Sequence, residues 1–198
     1  FNDMGLSNPL YANPSNCTKF QVECSEAIDD NSKENDGFEI SNQQLNLMSF
    51  YSMQLGVPAR RNIKNKDVIA GKKLFFELSC NSCHTEKFVT GTHSDFDNLN
   101  QQTIYPYSDF LLHDMGEGLA DSIDEYEANG SEWRTTPLWG LGLTETVSGR
   151  KTYLHDGRAR NLIEAILWHG GEAIRARMEF KKLDKIQINQ LLSFLQSL

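Results

Sequence analysis

Two thiols and an imidazole stand together in Cys80-Asn81-Ser82-Cys83-His84. Thiols three positions apart can each add to one vinyl group of a porphyrin, and the adjacent imidazole then reaches the iron. C-x-x-C-H is the attachment pattern of c-type haem. In that chemistry Cys80 and Cys83 carry one covalent haem c, and His84 is the proximal iron ligand. Other uses of these residues fit less well. A thioredoxin-like C-x-x-C needs a βαβ setting and leaves His84 unexplained. A zinc site needs four ligands, whereas this stretch offers three, and Cys17 and Cys24 are not spaced as a partner C-x-x-C.

Haem iron has a second axial face. A strong ligand there makes an electron carrier, and an open position admits peroxide or other small ligands. His93, His113, Met115, His155, His169, Met178 and the earlier methionines are the candidates. His169 has the best local setting, beside Trp168 at the end of an expected helix and before Gly170-Gly171, which could let a planar ring pass. Met115 follows, in the glycine-bearing run His113-Asp114-Met115-Gly116. His155-Asp156-Gly157 reads more simply as a turn.

Helices must position these groups. Asp67–Leu78 starts with an acid at the positive end of the helix dipole, buries Val68, Leu74, Phe75 and Leu78, and leads into the motif. At the far end Asp184 can cap a helix whose Ile188, Leu191, Leu192 and Leu195 form one stripe. A small haem domain needs two such helices crossing closely, and Gly71 permits that approach. Asn161, with Glu164 three residues later, can cap a shorter helix running to His169 and stopped by Gly170-Gly171. Gln43–Leu55 reads as a helix with an apolar face of Leu47, Met48, Tyr51 and Leu55, closed by Gly56 and Pro58. Residues 91–152 lack sustained strand alternation. The expected fold is mainly α with long irregular loops: an irregular N-terminal segment over 1–40 and a cytochrome c-like haem-binding domain over 41–198. Cys17 and Cys24, in that loop-rich first segment, read as a disulfide that would pin it.

The chain has 198 residues, with 39% hydrophobic and 23% charged, so a packed core is expected. No apolar run approaches the ~18–20 residues that cross a bilayer. The net charge of −8 opposes nucleic-acid binding, because the chain would repel phosphates. Between Thr92 and Glu132 there are ten carboxylates and no Lys or Arg. Such a stretch is either a solvated face or a docking surface for a basic partner. The start, Phe1-Asn2-Asp3-Met4, carries no basic and apolar leader and reads as a mature or truncated product.

Several longer stretches carry a resemblance. Val57–Asn62, Cys80–His84, Pro106–Gly116, Glu132–Gly140 and Tyr153–Ala159 are similar to those of the dihaem oxidoreductases often labelled "thiol oxidoreductases", relatives of bacterial dihaem cytochrome c peroxidases. The resemblance extends over nearly the whole chain. It implies a periplasmic c-type haem domain that is the C-terminal half of a two-haem protein. This sequence departs from the full pattern in having one C-x-x-C-H. In the related peroxidases the electron-transfer haem takes its distal ligand, commonly Met, from the helix after the turn matching Tyr153–Gly157. That match places His169 at the ligand position and implies a bis-His iron of lower potential than a His/Met one. Arg134, within Trp133-Arg134-Thr135-Thr136-Pro137, is a candidate partner for a haem propionate or for an ordinary surface ion pair. Trp133, Trp139 and Trp168 read as packing around the haem.

Three functions follow from these readings. The first is single-electron transfer through one low-spin haem c, with a second haem domain or a redox protein bearing a basic docking face as partner. The second is a peroxidase-like enzyme with an open distal site on this haem. The third is a non-redox zinc or disulfide module.

Overall fold

The structure, a computed structural model, describes residues 6–11, 22–25, 37–121, 123–125 and 127–198. Its helices are α1 (Val22–Ser25), α2 (Asn42–Met53), α3 (Lys66–Glu77), α4 (Thr144–Ser148), α5 (Leu162–Trp168), α6 (Ile174–Phe180) and α7 (Lys185–Ser197). Its strands are β1 (Phe88–Val89), β2 (Thr103–Ile104), β3 (Leu112–Asp114) and β4 (Glu132–Arg134). The architecture is mainly α. Two small antiparallel pairs, β1 with β2 and β3 with β4, are the sheet structure among the described residues. No helix among them is long and apolar enough to cross a membrane. By its internal contacts the chain forms two units, 1–56 and 57–198. The division therefore falls after Gly56, whereas the sequence reading set it after residue 40.

In the first unit, Ser7 donates through its backbone N–H and its hydroxyl to the Glu39 carboxylate, and its carbonyl accepts from Ile40. The expected Cys17–Cys24 disulfide lies outside the described residues. α2 starts at a capping box, with Ser41 accepting from the Gln44 N–H and Gln44 reaching back to the Ser41 N–H. It buries none of its residues, and Leu47, Met48 and Tyr51 are exposed. The expectation of one apolar face fails here because Leu45, Leu47, Met48, Phe50, Tyr51 and Met53 distribute around the whole helix.

The second unit is organised by α3 and α7. Asn65 caps α3 by accepting from the N–H groups of Asp67 and Val68. Val68, Gly71, Leu74 and Phe75 face inward. Asp184 caps α7 and forms a capping box with Gln187. Leu191 and Leu195 are buried as expected, and Phe194, absent from the expected stripe, is fully buried between them. The helices cross at Gly71, where a Cβ atom would stand 1.9 Å from the Gln190 carbonyl oxygen. Glycine is required there for backbone to meet backbone.

The basic run after Gly56 clasps the end of α7. Arg61 Nη2 donates to the carbonyls of Gln196 at 2.8 Å and Leu198 at 2.9 Å. Arg60 donates to the Ser197 hydroxyl at 3.3 Å and lies over the Phe194 ring. Cations at a helix C-terminus satisfy its last carbonyls and oppose its dipole. Tyr107, Leu162 and Phe180 complete the core around Phe75 and Phe194.

Candidate functional site

The C-x-x-C-H stretch leaves α3 through a tight turn. Ser79 adopts a left-handed conformation with φ of 62°, and Cys80–Ser82 forms one 3₁₀ turn. His84 follows, held against the core beside Phe75. Its Nδ1–H donates to the Tyr107 carbonyl at 2.9 Å. A carbonyl can only accept, so Nδ1 carries the proton and Nε2 keeps its lone pair. Tyr107 is fully buried and has a φ of 51°, a strained conformation for a non-glycine residue. Neighbouring backbone bonds fix this contact: Ser108 N–H donates to the Thr85 carbonyl and Asp109 N–H to the Cys83 carbonyl.

His169 stands at the C-terminal end of α5. Asn161 caps that helix by accepting from the Glu164 N–H at 2.9 Å. Glu164 does not close a capping box on Asn161; its carboxylate accepts from the N–H and guanidinium of Arg160. His169 Nδ1–H donates to the Ala165 carbonyl at 2.7 Å, one turn back. Here too Nε2 is left with its lone pair. The glycines after it serve a different purpose from the one expected. A Cβ at Gly171 would stand 2.1 Å from the Asp114 carbonyl, and one at Gly170 would stand 2.7 Å from the Met115 carbonyl. They let the loop after His169 press against the end of β3.

The His84 and His169 rings have centroids 6.5 Å apart and planes inclined by 47°. At the usual metal–imidazole distance of about 2 Å, two imidazoles on opposite sides of one metal have centroids about 6.3 Å apart. Burial holds both rings neutral: His84 is pushed down to about 4, and His169 is lowered by burial and by the charge of Arg177. Neutral imidazole is the ligating form.

Both histidines line one cavity of about 790 Å³, with Phe75, Leu138, Leu162, Ile166 and Leu195 among its apolar walls. That is the size of a site for a large organic cofactor. Cys80 and Cys83 line it as free thiols. Burial pushes the Cys80 thiol up to about 12 and raises that of Cys83. A redox-active C-x-x-C needs a depressed thiol pKa, so this environment disfavours disulfide-exchange chemistry. Paired thiols, two imidazoles on one cavity and apolar walls fit a covalently held porphyrin.

The remaining candidates have other tasks. His113, in β3, uses both ring nitrogens: Nε2 meets the Asp109 carboxylate and Nδ1 the Glu172 carboxylate, each at 2.9 Å. The ligand atoms of Cys83, Asp109 and His113 lie within 4.8 Å of one another, so the tetrahedral-metal alternative would centre there rather than on Cys80, Cys83 and His84. His155 stacks on Trp133 at 3.5 Å and 7°. Met115 lines the cavity, while His93 packs on Phe96 and Met178 is exposed. Arg134 is exposed and lines the cavity, with no ion pair among the described residues. Trp133 and Trp139 line the cavity, whereas Trp168 is partly exposed beneath the Arg158 guanidinium.

Sequence reasoning missed Tyr107, the Asp109–His113–Glu172 network and Arg177. Tyr107, Asp109 and His113 fall within the Pro106–Gly116 stretch, where the sequence offered His113 and Met115 as iron ligands and gave Tyr107 and Asp109 no role. Nothing in the spacing marks Arg177.

No curated protein and no solved structure matches the chain. The profile of the family described as "Di-haem oxidoreductase, putative peroxidase" matches residues 1–198. Haem is therefore the cofactor that the family implies, in agreement with the chemistry of the cavity. With that match over its full length, the chain belongs to the di-haem oxidoreductase family.

Proposed function

We propose that the second unit is a cytochrome c-like electron-transfer domain carrying one covalent, low-spin haem c. Cys80 and Cys83 would hold the porphyrin, and His84 and His169 would hold the iron. The observation that carries this reading is the His84–His169 pair, with ring centroids 6.5 Å apart on one cavity and each Nδ1–H taken by a backbone carbonyl. The bound group supplies a one-electron couple. The chain's own residues keep both imidazoles aimed through the Tyr107 and Ala165 carbonyls, exclude water with apolar walls, and set the ligand field. A peroxidase reading of this haem needs an open distal face, which His169 would close if it held the iron. In a di-haem family, one C-x-x-C-H makes a second haem domain the natural partner. The acidic stretch over 92–132 suits a redox protein with a basic docking face. Covalent haem attachment and the resemblance of the sequence both support a periplasmic location.

The test is spectroscopic. The matured protein should give a c-type pyridine haemochrome, a mass increased by one haem and a low-spin ferric spectrum insensitive to peroxide or cyanide. His169→Ala should turn the haem high-spin and ligand-accepting. A variant that stays bis-axial and low-spin would overturn the distal assignment, and a colourless protein would overturn the whole reading.

A further inference from the structure

Three buried guanidinium nitrogens have no hydrogen-bond partner among the described residues: Arg60 Nε, Arg61 Nη1 and Arg177 Nε. The first two belong to head groups already engaged at the end of α7. Arg177 differs. Among the described residues its guanidinium makes one hydrogen bond, from Nη1 to the Leu167 carbonyl at 3.4 Å, at the long limit for such a bond. It lines the same cavity as His84 and His169. Arg177 as a residue is half-buried, but its Nε–H is shut off from water, and a buried donor on a charged group requires an acceptor. The cavity wall does not provide one. Glu172 is the single carboxylate among the lining residues, and it is already bound by His113 and by the Asp114 N–H. The cavity wall leaves that N–H without an acceptor, so an occupant of the cavity bearing a carboxylate would satisfy it.

We infer that Arg177 is the carboxylate anchor of the cavity and binds a propionate of the haem, the task that the sequence had suggested for Arg134. Arg134 and Arg175 also line the cavity, but both are exposed, so water meets their hydrogen-bonding demand. Arg177 alone combines a cavity position with a buried unsatisfied N–H. A porphyrin of this type carries two propionates as its charged substituents, and the planar fork of arginine matches a carboxylate. The inference rests on the haem reading above.

The experiment uses the haem-loaded protein with ¹³C-labelled propionates, followed by redox-difference infrared spectroscopy and potentiometry. In Arg177→Gln the labelled carboxylate band should shift, and the midpoint potential at pH 8 should fall because a cation near the iron is gone. Arg177→Lys, which keeps the charge and loses the fork, should shift the band less; it also serves if the Gln variant does not mature. Arg134→Gln should match wild type. The inference is overturned if the Arg177 variants show the wild-type band and potential, or if Arg134→Gln alone shifts the band. Haem content and spin state of the wild type are read separately. Their failure would defeat the haem reading, whereas an unshifted band in a fully loaded, low-spin protein would defeat the role of Arg177 alone.

Discussion

His113 sits between two carboxylates, and the three groups sense one another. Its hydrogen bond to Glu172, reinforced by Asp109, raises the imidazole above its ordinary range despite partial burial. Burial pushes the Asp109 carboxyl up, but bonds from the Leu111 N–H, His113 and Thr135 outweigh this and hold it low. Glu172 is lowered chiefly by His113. The network ties β3 to the loop after His169. Its stabilisation has two edges. The histidine contribution is complete below the unfolded imidazole pKa, about 6.5, and is lost as pH rises through the raised folded value. The carboxylate contributions exist above their unfolded values, about 4, and are lost as pH falls through the lowered ones. His113→Gln should therefore cost about 1 kcal/mol or more at pH 5.5 and clearly less at pH 9, read from urea midpoints. An equal loss at both pH values would show that His113 acts as a neutral hydrogen-bonding residue. At this scale the sequence was legible where chemistry is local. Cys80, Cys83 and His84 are adjacent, and His169 sits at a helix end. Tyr107 and Glu172 were not, because their tasks depend on a left-handed backbone and on a contact 59 residues from His113.

The α3–α7 crossing is the element on which the site depends, because α3 ends at the C-x-x-C-H turn. Alanine has the higher helix propensity by about 1 kcal/mol, so Gly71→Ala would be stabilising in an isolated helix. In the folded chain the new methyl meets the Gln190 backbone oxygen at 1.9 Å and Phe194 Cβ at 2.8 Å. Backbone cannot rotate aside as a side chain can, so one helix must move. Overpacking of this kind costs about 1–3 kcal/mol, and the net effect should be a loss of stability. Gly91→Ala is the control: a Cβ there meets nothing within 4 Å, and its effect should stay within about 0.5 kcal/mol. Thermal unfolding of the two variants decides the matter; equal melting temperatures would mean that the close crossing is not required. Helix existence was readable from caps and stripes, as Asp184 and Leu191 show. Burial was less readable. Phe194 is buried although it was not assigned to the stripe, and α2 has apolar residues on every side and buries none. Periodicity reports which face could be buried, while the partner that buries it comes from elsewhere in the chain.

Across the whole molecule, charge is distributed more distinctively than apolar surface. Ten carboxylates between Thr92 and Glu132 face no Lys or Arg in the same stretch, and the net charge is −8. Some of these acids have internal work: Asp109 binds His113, and Asp114 accepts from the Gly116 N–H. Asp121, Asp124, Glu125 and Glu127 are exposed or have no side-chain ion pair among the described residues, so their field extends into solvent. The Debye length is about 30 Å at 0.01 M salt and about 3 Å at 1 M. Steering of a basic partner toward this region should therefore be strong in dilute buffer and nearly absent in concentrated salt. With a small basic redox protein as electron donor, the bimolecular reduction rate should fall at least tenfold between those limits. Replacing Asp121, Asp124, Glu125 and Glu127 by their amides should flatten the salt dependence without altering the haem spectrum, since none of the four lines the cavity. An acidic donor should show the opposite slope. A rate with the basic donor that is flat or rising in salt would assign the acidic stretch to solvation and leave partner recognition to some other surface.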